Sequence, residues 1–71
     1  MVVVEIVLPD HRQEDLMNKL ADYERAGIAY IFVVRTAARR FARFIDGDLR
    51  TVPALELPEL QLKIMPSSIF M

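Results

Sequence analysis

Glu5 is a charged residue in the middle of an apolar segment. It lies between Val4 and Ile6 in a nearly continuous β-branched run, which predicts a strand over residues 2–8. An ionised carboxylate in such a strand is costly unless it is paired, hydrogen-bonded or bound to a metal. One interpretation is therefore a metal-binding, catalytic carboxylate. The other is a solvent-exposed charge, or the partner of an arginine later in the chain.

A second group of side chains that could do chemistry follows on a predicted helix. Asp15, Lys19 and Tyr23 recur at four-residue steps, which places them along one side of the helix. The stem of Lys19 is long enough to reach over the neighbouring strand. The alternative is an Asp15–Lys19 ion pair on a solvated face, worth about 0.3 kcal/mol, with Tyr23 as an ordinary core residue.

The elements that position these residues follow from the hydrophobic pattern. Pro9 ends the first strand, and Asp10 and Gln13 have the spacing of a capping box, so a helix is predicted over 12–25. Gly27 suits the left-handed position after the helix end. The apolar stripe of the helix is expected to consist of Leu16, Met17, Leu20 and Tyr23.

The remainder of the chain predicts β-structure. Strands are expected over 28–34, over 39–45 with one half-exposed face, and over 49–52, the last two joined by an Asp46-Gly47 hairpin. After Pro53 the leucines alternate with polar residues, which indicates an edge strand or a segment packed across the sheet. The result is an α/β domain of strand, helix, strand, hairpin and tail. One helix covers one face of the sheet, so the first strand is expected to leave its other face bare.

Several segments together resemble the Uma-two family. They are V-V-V-E-I-V-L-P-D, then D-x3-K-x3-Y-x3-G-I, then Y-I-F-V-V, the Asp46-Gly47 hairpin, and the closing L-E-L-P-E-L-Q-L-K-I with I-F. Members of that family are mostly bacterial, are often described as restriction endonuclease-like, and belong to the PD-(D/E)xK nuclease superfamily. The resemblance covers nearly all of this chain but only about the second half of a family domain. It implies a truncated restriction-endonuclease-like core, with residues 1–71 forming one partial nuclease-like domain.

The resemblance also assigns roles in a metal-dependent DNA endonuclease. Glu5 would bind Mg²⁺ or Mn²⁺, and Lys19 would orient the attacking water or stabilise charge in the transition state. Lys19 takes the place of the usual strand lysine, whose position here is Val7. Tyr23 would pack behind Lys19, and Asp15 would orient it.

Two features depart from the family pattern. The first metal-binding aspartate would lie before Met1, so the family's N-terminal half is absent and we expect this chain alone to be inactive. A truncated gene or expression product, a natural remnant and half of a split domain all fit this pattern. In addition, the acidic residue that ends the family's next strand is replaced by Arg35, and that strand begins Tyr30-Ile31-Phe32 rather than Glu-Tyr-Trp.

Composition narrows the partners. The 71 residues are 54% hydrophobic, carry a net charge of −1 and include no cysteine. No apolar run is long enough to span a bilayer and Glu5 interrupts any leader-like start, so we expect a cytoplasmic protein without a membrane partner. The apolar excess and the bare sheet edge predict a homodimer. The alternative function is accordingly a non-catalytic homodimerising interaction module. A stretch that could contact DNA phosphates contains Arg35, Arg39, Arg40 and Arg43.

Overall fold

A computed structural model describes residues 1–10 and 12–70 and shows a mixed α/β fold in three layers. A four-stranded sheet lies between one helix and a two-stranded sheet. The helix is α1 (Gln13–Arg25). The large sheet contains β1 (Val2–Val7), β2 (Tyr30–Arg35), β3 (Arg40–Ile45) and β4 (Asp48–Val52), and the small sheet contains β5 (Leu55–Leu57) and β6 (Leu62–Ile64). Within the described ranges, no helix is both long and apolar enough to cross a membrane.

The large sheet has the order β1-β2-β3-β4. β1 and β2 run parallel and are joined through α1, whereas β2, β3 and β4 form antiparallel neighbours. The predicted α/β class and the strand-helix-strand unit are therefore confirmed. β1 lies at one edge of the sheet and, within residues 1–10 and 12–70, pairs with β2 alone.

α1 begins at Gln13, and the predicted cap at Asp10 is wrong. The residue before the helix is Arg12, whose backbone is extended and whose side chain makes no capping hydrogen bond. Asp10 lies in the turn that follows β1 and is not the residue that precedes the helix. The predicted end of the helix is confirmed, since Gly27 adopts a φ of 84° after the last turn.

The expectation of a half-exposed third strand is also wrong. Phe41, Ala42 and Phe44 of β3 are buried, so the strand is covered on both faces. α1 packs over one face, and β5 with Phe70 packs over the other. The tail after Pro53 is thus a separate hairpin across the sheet and not an edge strand of it.

The two faces of β1 are buried to different extents. Val3, Glu5 and Val7 point to the α1 side and are half-buried, as their pairing with Ile31, Val33 and Arg35 of β2 shows. On the other side, Val2, Val4 and Ile6 are 37%, 47% and 59% exposed. The predicted bare face of the first strand is therefore confirmed, because the small sheet stops short of β1.

Candidate functional site

Glu5 is brought to the α1 side of the sheet by its register with Val33, a buried residue of the core under the helix. Its carboxylate meets two residues of α1. The Tyr23 hydroxyl donates a hydrogen bond of 2.6 Å to Glu5 Oε1, and Lys19 Nζ lies 3.6 Å from Glu5 Oε2. The structure therefore joins three of the four predicted site residues around one carboxylate.

The helix can present these two side chains because its other residues anchor it. Leu16 and Leu20 are buried against Ile31 and Val33 of the sheet. Tyr23 and Lys19 are one helical turn apart and lie beside that apolar stripe, facing β1. The site thus depends on two spacings in α1: that of Lys19 and Tyr23, and that of the buried Leu16 and Leu20.

Tyr23 has a different role from the one predicted. It contacts Glu5 directly and does not simply support Lys19 from behind. The hydrogen bond to Glu5, with smaller contributions from burial and from the negative charge of Glu5, raises the pKa of the Tyr23 phenol. The phenol therefore keeps its proton across the neutral range and remains a donor that holds Glu5 in place.

A cavity of about 220 Å³ opens beside the carboxylate. It is lined by Glu5, Arg12, Asp15, Leu16 and Lys19. Two carboxylates and two cations thus face one space next to the N-terminal turn of α1. Arg12 was missed by the sequence analysis, although positions 12, 15, 16 and 19 have the spacing of one helical face and could have indicated it.

Asp15 does not take the part expected of it in orienting Lys19. Among the ion pairs of the described residues, Lys19 is joined to Glu5, and none links Asp15 to Lys19. Asp15 is exposed and reaches the site only as part of the cavity wall. The alternative of an Asp15–Lys19 surface pair is therefore not what the helix forms.

The cavity contains two carboxylates, the kind of ligand that a hard divalent cation prefers. Mg²⁺ is usually held by one or two carboxylates together with water and substrate phosphate oxygens. Glu5 and Asp15 supply such oxygens, and Lys19 and Arg12 supply positive charge for a phosphate. No group of three or more acidic, histidine or cysteine side chains suited to a metal occurs within residues 1–10 and 12–70. Glu5 and Asp15 are therefore the two carboxylates of this cavity that could contact a metal.

The four arginines predicted to contact DNA do not form one surface. Arg35 faces the α1 side at the end of β2, opposite Arg40 of β3. Arg39 lies in the connecting turn with a φ of 52°. Arg43 pairs with Phe32 on the other face, where its guanidinium lies 4.9 Å from the centre of the Tyr30 ring.

Arg43 is held by local contacts. Its Nη2 donates to the backbone oxygen of Ala29 at 3.5 Å, and its Nε is buried without a partner in the described structure. Tyr30, whose ring lies next to this guanidinium, donates a hydrogen bond from its hydroxyl to Glu59 Oε1. Of the four arginines, Arg35 and Arg40 have strand positions on the Glu5 face, at the helix N-terminal end of the sheet.

Comparison with protein-family models, with curated proteins and with solved structures found no match to this chain. The resemblance to the Uma-two family therefore stays a prediction made from sequence motifs. The function proposed below therefore rests on the geometry around Glu5.

Proposed function

We propose that the chain contributes Glu5 and Lys19 to the site of a cytoplasmic, metal-dependent DNA endonuclease with a restriction-endonuclease-like core. The observation that carries this proposal is the Lys19–Glu5 contact of 3.6 Å at the wall of an accessible cavity. A carboxylate that binds a metal, next to an ammonium group that stabilises developing negative charge, is one arrangement that supports phosphodiester hydrolysis.

Each residue has a defined task in this proposal. Glu5 holds Mg²⁺ or Mn²⁺, which would bind the scissile phosphate and lower the pKa of an attacking water. Lys19 orients that water or stabilises the negative charge that develops on the phosphate. Tyr23 donates to Oε1 of Glu5 and so limits the orientations of the carboxylate. Asp15 offers a second oxygen donor in the same cavity.

DNA is the proposed substrate, and the arginines contribute unequally to binding it. Arg35 lies on the face of the sheet that carries Glu5, so its charge is available to a phosphate near the site. Arg39 and Arg40 extend the basic stretch around the β2–β3 turn. Arg43 contributes least because it lies on the opposite face and is already stacked on Tyr30.

Metal binding is the most direct test. In NMR spectra of the chain, added Mn²⁺ should broaden the amide signals nearest Glu5, and Glu5→Gln should abolish this effect. Glu56→Gln is the matched control, since Glu56 also pairs with a lysine, at 3.7 Å, but lies in the tail hairpin. Broadening that is absent in the wild type or unchanged in Glu5→Gln would contradict the proposal.

Cleavage of plasmid DNA with Mg²⁺ or Mn²⁺ tests the chemistry. Any nicking by the wild type should be lost in Glu5→Gln and in Lys19→Ala. Lys63→Ala should retain it, because Lys63 is a similarly exposed lysine in an ion pair remote from the cavity. Nicking that persists in both site variants would assign the activity to another source.

The second candidate is the non-catalytic homodimerising module. It is favoured by the fact that Tyr23 and Lys19 already engage both oxygens of Glu5, so the carboxylate is satisfied without a metal. Calorimetric titration with Mn²⁺ separates the two functions. Saturable heat that disappears in Glu5→Gln supports the nuclease site, and no heat supports the module.

A further inference from the structure

The lysines and arginines of this chain divide into those with an acidic partner and those without one. Ion pairs engage four of the nine, which are Lys19, Arg25, Arg50 and Lys63. Arg43 is occupied differently, by the Tyr30 ring and the backbone oxygen of Ala29. Within residues 1–10 and 12–70, the cations that form no ion pair or ring contact are Arg12, Arg35, Arg39 and Arg40. All of these lie at the end of the large sheet where β2 finishes and α1 begins.

Two of these cations, Arg35 and Arg40, are directly opposite each other in the β2–β3 pair. Such residues point to the same face of the sheet, with Cβ atoms about 4.5–5.5 Å apart, and like charges at these positions are destabilising. Asp10, Glu14 and Asp15 lie on segments at the same end, but none forms an ion pair with either arginine in the described structure. The fold therefore holds two positive charges side by side without neutralising them.

A second pair of opposite arginines in the same sheet shows what compensation looks like. Arg43 of β3 is directly opposite Arg50 of β4. Arg50 Nη2 lies 3.7 Å from Asp48 Oδ2, and the Arg43 guanidinium lies over the ring of Tyr30. Each charge of that pair thus has a local partner, which is what the pair on β2 and β3 lacks.

The backbone around the uncompensated pair is fastened to the neighbouring strand. Thr36 donates to the backbone oxygen of Val7 twice, from its amide at 3.3 Å and from Oγ1 at 2.8 Å. The amide of Arg39 closes the turn by donating to the Thr36 oxygen at 3.3 Å. Arg35 is half-buried and Arg40 is exposed. The two guanidinium groups therefore start from a fixed backbone and remain open to a ligand.

We propose that Arg35 and Arg40 form an anion site that binds a phosphate monoester. Such a group carries about 1.5–2 negative charges near pH 7, which matches two guanidinium groups. Arginine binds phosphate oxygens through paired N–H donors, and the bound anion would remove the repulsion between the strands. The site uses neither Glu5 nor a metal, so it goes beyond the proposed nuclease function. The end of a phosphorylated nucleic acid strand and a small phosphorylated molecule share this chemistry.

Titration with two small phosphates tests the charge requirement. In NMR spectra, methyl phosphate should shift the amide signals of β2 and β3 saturably, and singly charged dimethyl phosphate should bind roughly tenfold more weakly. Arg35→Gln and Arg40→Gln should each weaken methyl phosphate binding by about tenfold. Arg50→Gln is the matched control from the compensated pair and should bind like the wild type. No saturable shift, or equal affinity in all three variants, would overturn the proposal.

Unfolding in urea tests the uncompensated repulsion. Without phosphate in the buffer, Arg40→Gln should unfold at the same urea concentration as the wild type or at a higher one, because it removes one of two like charges. Methyl phosphate should raise the urea midpoint of the wild type and leave that of Arg40→Gln unchanged. A midpoint that Arg40→Gln lowers in the absence of phosphate would show that the fold already compensates this charge, and would overturn the proposal.

Glu5→Gln separates this site from the proposed metal site. The variant should bind methyl phosphate like the wild type even if its response to Mn²⁺ is lost. Loss of phosphate binding in Glu5→Gln would place the ligand in the Glu5 cavity and overturn the arginine site.

Two oligonucleotides of one sequence, with and without a terminal phosphate, identify the source of the ligand. Tighter, Arg40-dependent binding of the phosphorylated strand supports the site as a reader of strand ends. Equal binding of both strands, with methyl phosphate still bound, supports it as a site for small phosphorylated molecules.

Discussion

At the scale of single residues, Glu5 shows how a charge is tolerated on a mostly apolar strand. One oxygen accepts a short hydrogen bond from Tyr23, the other lies near Lys19, and the carboxylate remains partly hydrated. The Glu5 carboxylate is therefore only partly desolvated, and its interactions with Tyr23 and Lys19 offset the cost. Such a group is stabilised in the fold and keeps partial contact with solvent.

The two partners of Glu5 should contribute unequally to stability. Lys19→Ala should lower the free energy of unfolding by at most about 1 kcal/mol, because an exposed ion pair is screened by water. Tyr23→Phe should lower it more, because it removes a 2.6 Å hydrogen bond to a half-buried carboxylate. Urea unfolding of both variants measures which substitution lowers the free energy of unfolding more. A larger loss for Lys19→Ala would show that the ion pair dominates.

At the scale of elements, the hairpins place the strands that support the site. Asp46 and Gly47 have φ values of 51° and 77°, so the β3–β4 turn has positive φ at both central positions, as a type I′ turn requires. The small sheet is fastened separately, through contacts such as the hydrogen bond of 2.5 Å from Tyr30 to Glu59. The tight turn and the contacts of the small sheet help to keep β2 and β3 covered on both faces.

The turn at Gly47 should be sensitive to its backbone conformation. Gly47→Ala is expected to cost about 1 kcal/mol, since a Cβ disfavours this left-handed conformation. The added Cβ itself would meet nothing within 4 Å, so sterics outside the turn play no part. Gly47→Asn is the control and should cost less, because asparagine tolerates positive φ. Equal losses by urea unfolding would contradict this explanation.

The attachment of the small sheet should weaken at high pH. The hydrogen bond to Glu59, then burial and the charge of Glu59, raise the pKa of Tyr30 above its ordinary value of 10.0, with Arg43 acting in the opposite direction. Because the folded state binds the proton more tightly, this stabilisation is complete below pH 10.0 and is lost as pH rises through the folded pKa.

Tyr30→Phe supplies the measurement for this pH effect. The difference in unfolding free energy between wild type and variant should be constant near neutral pH and should shrink on the alkaline side. Tyr23 is present in both proteins and cancels from the comparison. A difference that grows with pH would show that the sign is wrong.

At the scale of the whole molecule, a small chain forms two cores, one on each face of a single sheet. The core under α1 contains Leu16 and Leu20, and the core under the small sheet contains Phe32 and Phe41. Small domains bury a limited fraction of their surface, so each core is thin and the protein has little stability to spare.

Removing one large residue from the helix core should therefore unfold much of the population. Leu20 is completely buried, and Leu20→Ala is expected to cost about 2–5 kcal/mol, comparable with the total stability of a chain of this length. Leu60→Ala is the control and should change stability by less than about 0.5 kcal/mol. Circular dichroism during urea unfolding compares them, and a cooperative, wild-type-like transition in Leu20→Ala would contradict this account.

Local patterns in the sequence were sufficient to predict most elements and to group Lys19 with Tyr23 on one side of the helix. Helical spacing relates Lys19 to Tyr23, and the Asp46-Gly47 pair specifies a tight turn, because both signals depend on residues close in the chain. The bare face of β1 also follows from counting one helix against two sheet faces. The Asp10 cap failed because the length of the turn after β1 is not encoded in the capping pattern.

Only the tertiary structure decided how distant segments combine. The sequence could not show that the tail folds across the sheet and buries β3, since alternation in a tail suits an edge strand equally well. It could not separate Arg35 from Arg43, because the face of each depends on strand register. It did single out Glu5 and Lys19, while their 3.6 Å separation and the cavity shared with Arg12 arise from packing α1 onto β2 and β3.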